Sequence, residues 1–186
     1  LGDCPTKPVD KKIPIEVGAT CWDQAAPVEG GGSGRQPGSS FKVFTLAAAF
    51  EKGIPPTKSY PAPVVYIVPG CKGTTCRIGN AGDSEGGGSM SLAQATTGSV
   101  NTVFAGLAHD IGNKSIAEMA KKLGITSAWL SPRVQGASYT LGTQEVSPLD
   151  MAAAHPVFAN RGPRNPRAPG GQVRTRTGRA PRDHPL

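Results

Sequence analysis

Gln36-Pro37-Gly38-Ser39-Ser40-Phe41-Lys42-Val43-Phe44-Thr45-Leu46-Ala47-Ala48-Ala49-Phe50-Glu51-Lys52-Gly53-Ile54-Pro55 passes from a polar, glycine-led entry into an apolar run and then into a Gly-x-Pro stop. The run from Ser39 to Lys52 predicts a buried helix ended by Gly53 and Pro55. Ser39 and Lys42 lie three residues apart, nearly one turn, so they share a face of that helix. A serine hydroxyl attacks a carbonyl only with a base in hydrogen-bond reach, and a desolvated lysine can be that base. The helix N-terminus adds partial positive charge and free N–H groups near a developing oxyanion. On its own, Ser-x-x-Lys is more often a helix N-cap followed by a solvated lysine.

Working outward, Ser99-Val100-Asn101 supplies a Ser-x-Asn triplet at a break between two predicted helices, its polar side chains expected to point the same way from an extended loop. The helical block before the break starts near Ser91 with Leu92, Ala93 and Ala95 and is interrupted at Gly98. It resumes through Val103, Phe104, Leu107, Ala108 and Ile111, with Gly112 as C-cap. Ser115 to Leu123 spaces Ile116, Met119, Ala120 and Leu123 for a further helix ended by Gly124, with Glu118 and Lys122 expected to pair on its exposed side. Ser147-Pro148 opens a last helix, shortened or kinked by Pro156. Val64 to Val68 reads as a short proline-bracketed strand, and Ile13 to Val17 as an isolated one. His109 and His155 read as helix-surface or packing residues, Trp22 and Trp129 as anchors, Asp83-Ser84-Glu85 as a solvated turn and Lys121-Lys122 as an exposed face.

The length of 186 residues and a hydrophobic content of 37% suit one domain with a modest core. With 25 Gly and 18 Pro, long irregular segments must separate the ordered elements. The formal net charge of +7 is mostly local, because residues 161–186 hold seven Arg against one Asp and leave about +1 for the rest. That distribution argues against a folded nucleic-acid surface. The segment after Asn160 is too poor in apolar side chains to offset its chain entropy and is expected to be disordered. Of the three pairings open to four cysteines, the local ones are simplest, Cys4 with Cys21 and Cys71 with Cys76, and they imply an oxidising compartment. The three histidines are scattered, none at zinc-ligand spacing from a cysteine. The chain starts at Leu1 and holds no apolar run of about 18 residues, as expected of a mature or excised piece.

Ser-x-x-Lys followed by a Ser-x-Asn element belongs to the signature of penicillin-binding proteins and class A β-lactamases. The text around both motifs, Gln36 to Pro55 and Met90 to Phe104, continued by Ile116 to Thr126 and Leu141 to Gly162, resembles the transpeptidase domain of bifunctional, especially actinobacterial, penicillin-binding proteins. The resemblance implies an α+β chain, the helical portion of the β-lactamase/DD-peptidase-like transpeptidase fold with its central sheet largely missing. It divides the chain into a Pro/Gly-rich segment (1–30), a partial transpeptidase domain (31–162) and an Arg/Pro/Gly-rich tail (163–186). It implies that Ser39 is acylated by a peptidoglycan stem peptide or a β-lactam, with Lys42 taking its proton. Ser99 then relays protons to the leaving group, Asn101 orients Lys42 and binds the substrate amide, and the Ser39 N–H forms half of an oxyanion hole. The implied partners are stem peptides and β-lactams, with no cofactor, no nucleic acid, a cell-envelope location outside the cytoplasm and a membrane-anchored parent protein.

The chain departs from the pattern in its third element. Lys-Thr-Gly is absent, and Arg176-Thr177-Gly178 reads as coincidence because arginine does not readily exchange a proton. The apolar strand pair expected before the serine is also not found. The composition change after Asn160-Arg161-Gly162 resembles a shift of reading frame in GC-rich DNA, and translation of the parent DNA in the other frames should then recover a Lys-Thr-Gly strand. The alternative enzyme is a serine β-lactamase or D,D-carboxypeptidase, disfavoured because no Glu-x-x-x-Asn loop follows Asn101 to activate water. The alternative of another class is a noncatalytic module whose basic tail binds anionic polymers. That tail lacks stacking aromatics and an amphipathic stripe.

Overall fold

The structure, a computed structural model, describes residues 34–72, 76–81, 87–127 and 136–159. The Ile13–Val17 strand, the Cys4–Cys21 pairing, Trp22, Trp129, the Asp83-Ser84-Glu85 turn and the tail with Arg176-Thr177-Gly178 lie outside the described residues.

The predicted first helix begins as a 3-10 turn, Gly38–Phe41, and becomes α-helical only as α1, Lys42–Glu51. Its apolar run buries Phe44, Thr45, Ala48 and Ala49. Full burial of a side chain such as Phe44 contributes about 1.5–3 kcal/mol. Two antiparallel ladders follow: β1 (Ser59–Pro61) pairs with β4 (Ser89–Ser91), and β2 (Val65–Ile67) pairs with β3 (Arg77–Gly79). In register, Tyr60 faces Met90 and Tyr66 faces Ile78. The expected Cys71–Cys76 disulfide is present and closes the β2–β3 hairpin.

The second helical block splits at the expected glycine into α2 (Leu92–Thr97) and α3 (Asn101–Ile111). Ser91 starts α2 with a capping box, its hydroxyl accepting from the Gln94 N–H while the Gln94 side chain takes the Ser91 N–H. α3 is the centre of the molecule, burying Thr102 to Ala105, Leu107, Ala108 and Ile111. After Gly112 comes α4 (Asn113–Leu123), two residues earlier than its pattern suggested, ended by Gly124 in the left-handed conformation. A 3-10 helix (Ala137–Leu141), α5 (Pro148–Ala154) and α6 (Pro156–Ala159) complete the described chain.

Helices and two minimal ladders thus form a partial α+β architecture. One expectation is corrected. Glu118 and Lys122 do not pair with each other: Lys122 binds Glu51 of α1, and Glu118 meets Lys114 at 3.9 Å. α4 packs along α1, so the cross-helix carboxylate is available to Lys122. Both pairs are exposed and contribute at most about 1 kcal/mol. His155 packs as expected, its ring edge-on to Phe44 at 5.7 Å, and His109 is on the surface.

Asp150 is 2% exposed and ties α5 to the segment after α4. Its carboxylate accepts from the Thr126 N–H at 2.7 Å and from the Ser127 N–H and hydroxyl, each at 2.9 Å. The Ser127 hydroxyl in turn accepts from the Ser147 N–H at 2.9 Å, so the start of α5 is fixed by the same group.

Candidate functional site

The first residue of α1 points a polar group into the interior. Lys42 is 4% exposed, and its amine lies 5.1 Å from the centre of the Phe104 ring. Enclosing an ammonium is costly unless its N–H groups find acceptors. Here Nζ donates to the Ser99 carbonyl at 2.5 Å, the Asn101 Oδ1 at 2.7 Å and the Ser99 Oγ at 3.0 Å. Two of these partners can only accept, and the third, the Ser99 hydroxyl, can accept from the amine or donate to it, so the enclosure suits an ammonium and a neutral amine alike.

The acceptors converge because of the α2–α3 junction. Ser99 takes φ +52°, the left-handed region, and among the described residues it is the one residue other than glycine to do so. Val100 is extended at φ −69°, ψ 107°, and Asn101 is already the first residue of α3. The expected extended loop is therefore a tight kink, which turns both the carbonyl and the hydroxyl of Ser99 onto one amine. Such backbone costs of order 1–3 kcal/mol and persists where the surroundings enforce it.

The Asn101 amide has a fixed sense. Its Nδ2 donates to the Gly79 carbonyl at 3.0 Å, which leaves Oδ1 for Lys42. One residue on, the Thr102 N–H donates to Asn80 Oδ1 at 3.1 Å, and Asn80 Nδ2 reaches the Thr102 hydroxyl at 3.4 Å. The end of β3 thus holds the start of α3, and Asn80 does there what an N-cap side chain does. Sequence reasoning missed Gly79 and Asn80, since a residue that caps a distant helix leaves no local spacing signal.

Ser39 precedes Lys42 by one 3-10 turn. It is exposed, and its carbonyl accepts the Lys42 backbone N–H. In a 3-10 turn residues i and i+3 are nearly eclipsed, so the turn stacks Ser39 and Lys42 on one side. The neighbouring Ser40 hydroxyl is turned away onto the Pro37 carbonyl at 2.7 Å. The structure therefore joins Lys42, Ser99 and Asn101 by direct side-chain hydrogen bonds and places Ser39 one 3-10 turn away, at the surface. A cleft of about 450 Å³ lined by Val68, Cys71, His109, Asn113 and Ala137 includes none of the four.

Two buried tyrosines complete the electrostatics. Burial, then the nearby Asp110 carboxylate, pushes the Tyr60 phenol up to about 12. Its hydroxyl nears Asp110 without closing a hydrogen bond of normal geometry. Burial alone pushes Tyr139 up to about 12, and its hydroxyl has no partner among the described residues.

Residues 33–169 match the family model described as the penicillin binding protein transpeptidase domain. The chain is similar to penicillin-binding protein 1A of Neisseria meningitidis, with 36% identity over 129 residues, 69% of this chain and 16% of that protein. Penicillin-binding protein 1A of Aquifex aeolicus is 34% identical over 128 residues, again 69% of this chain and 17% of the other. Among solved structures, the imipenem acyl-enzyme complex of penicillin-binding protein A from M. tuberculosis superposes with TM-score 0.61 at 28% identity, covering 70% of this chain and 33% of that one. The PonA1 protein of Mycobacterium tuberculosis in complex with penicillin V gives 0.58 at 29% identity, covering 68% and 35%. The chain thus spans about a sixth of the curated relatives and a third of the solved neighbours.

Proposed function

This chain belongs to the penicillin-binding protein transpeptidase family, and from that membership we propose that it is the nucleophile-bearing part of a serine D,D-transpeptidase that cross-links peptidoglycan stem peptides and is acylated by β-lactams. The observation that supports this most is the enclosed Lys42 amine, bonded to Ser99 and Asn101 and placed one 3-10 turn after an exposed serine.

In this reading the Ser39 hydroxyl gives its proton to the Lys42 amine as its oxygen attacks the penultimate D-Ala carbonyl. An amine can take and return a proton, whereas a guanidinium does not. The tetrahedral oxyanion faces the Ser39 N–H, one of the N–H groups that a helical turn leaves unsatisfied at its start. The C–N bond then breaks, and the departing amine is protonated through the Ser99 hydroxyl, leaving an acyl ester on Ser39. An amine of a second stem peptide attacks that ester, loses its proton along the same route and restores Ser39. Asn101 keeps Lys42 in place through Oδ1. The family membership and the Cys71–Cys76 disulfide support an extracytoplasmic, cell-envelope setting.

The test is incubation of the intact chain with a labelled penicillin, followed by mass mapping. A stable adduct on Ser39 is the expected result. Rapid turnover indicates a hydrolase, and absence of labelling overturns the assignment for this chain.

A further inference from the structure

Ser39 is braced by a segment to which the scheme above gives no role. The Arg35 N–H donates to the Val146 carbonyl at 3.0 Å and the Val146 N–H returns a bond to Arg35 at 2.9 Å. Further along, the Gly38 N–H donates to the Gly142 carbonyl at 3.3 Å. Gly142 closes the 3-10 helix Ala137–Leu141 with φ +70°, facing Gly38 with φ +59°. A Cβ on Gly142 would lie 2.3 Å from the Gly38 oxygen and 2.6 Å from its nitrogen, closer than real Cβ atoms come.

The 3-10 helix that carries Gly142 is itself anchored to the serine helix. The Thr45 and Thr140 hydroxyls share a buried hydrogen bond at 2.7 Å, and the Tyr139 ring stands edge-on to Phe41 at 5.9 Å. Gly142 therefore touches, backbone to backbone, the residue immediately before Ser39, from a support locked to α1.

We propose that Gly142 is a positioning residue for the acylation step: its bare backbone, seated against Gly38, fixes where the Ser39 hydroxyl stands relative to Lys42. This rests on the reading of Ser39 as the acyl acceptor. A methyl group at 142 must displace the Gly38 backbone by the better part of an ångström. Misplacement of a reacting group by about 1 Å can cost roughly 100-fold in rate.

The experiment compares Gly142→Ala with Gly53→Ala. Gly53 has φ +78° but open space where a Cβ would stand, so its variant takes the same backbone strain without the collision and at the far end of α1. With labelled penicillin, Gly142→Ala is expected to lower the acylation rate constant per folded molecule at least about 30-fold while leaving noncovalent affinity nearly unchanged. Gly53→Ala should keep both. Equal acylation by the two variants overturns the proposal. If Gly142→Ala alone fails to fold, Tyr139→Phe is added to both variants as a stabilising background, because it removes a buried hydroxyl that has no partner among the described residues. Backbone amide NMR shifts of Ser39, Ser40 and Lys42 supply a readout independent of chemistry. They should move in Gly142→Ala and hold in Gly53→Ala, and unmoved shifts overturn the inference. An unreactive parent chain rejects the acyl-acceptor reading, while the amide shifts still decide whether Gly142 sets the turn.

Discussion

The Lys42 amine and the Asn101 side-chain carbonyl, 59 residues apart in sequence, meet at 2.7 Å in the fold. Because the Asn101 amide is also held by the Gly79 carbonyl, the lysine is oriented by a chain of contacts that runs from α1 through α3 to the β2–β3 hairpin. On the proposed reading, acylation at Ser39 then depends on the β2–β3 hairpin as well as on the helix that carries the lysine.

Removing the amine tests that dependence directly. Lys42→Ala and Lys42→Arg should both slow Ser39 labelling by about 10²–10⁴-fold, the range of a general base. Arginine retains charge but does not trade the proton. Time-resolved intact-mass measurement checks this, and a Lys42→Arg variant that labels at the parent rate would refute the proton-transfer role.

At Ser99 the backbone and the hydroxyl make separate contributions. Ser99→Gly should be more stable than Ser99→Ala by about 1 kcal/mol, because only glycine occupies φ +52° without steric cost. Both lose the hydroxyl and should show slow release of the leaving amine. Thermal melts together with turnover of a peptide substrate separate the two effects.

Asp150 should matter for folding and not for chemistry. Asp150→Ala leaves the Thr126 and Ser127 N–H groups without their acceptor, a loss of about 3 kcal/mol. Urea unfolding measures it. Acylation per folded molecule is expected to stay at the parent value.

The tyrosines predict a base-side limit to stability. Tyr60 and Tyr139 titrate near 12 in the folded chain and near 10 when unfolded. Their raised values stabilise the fold fully below pH 10, and this contribution is lost as pH climbs toward 12, because the unfolded chain releases those protons first. Urea midpoints between pH 8 and 12 should fall across that window, and a Tyr60→Phe/Tyr139→Phe variant should flatten the curve.

Much of this was legible beforehand. The apolar run behind Ser39, the glycine break before Ser99 and the spacing of Ile116, Met119 and Ala120 announced α1, the α2–α3 split and α4, because each element buries a face that its own sequence marks. Ser-x-x-Lys and Ser-x-Asn were likewise visible as local spacings, and the fold joins the lysine of the first to the serine and asparagine of the second. What escaped were features settled by neighbours far along the chain. The 3-10 helix Ala137–Leu141 is too short to show a period and exists through its packing on α1 and α3. Asn80 caps a helix to which it does not belong, and Lys122 chose Glu51 over Glu118 once α4 lay beside α1.

An amine on the packing face of α1 is also a register pin. A slip of α1 by one turn along α3 would move the amine from its acceptors to the apolar side chains of α3, which disfavours other heights. Uniqueness of the native arrangement and, on the proposed reading, reactivity are in this way entrusted to a single side chain, so that damage to one is inherited by the other.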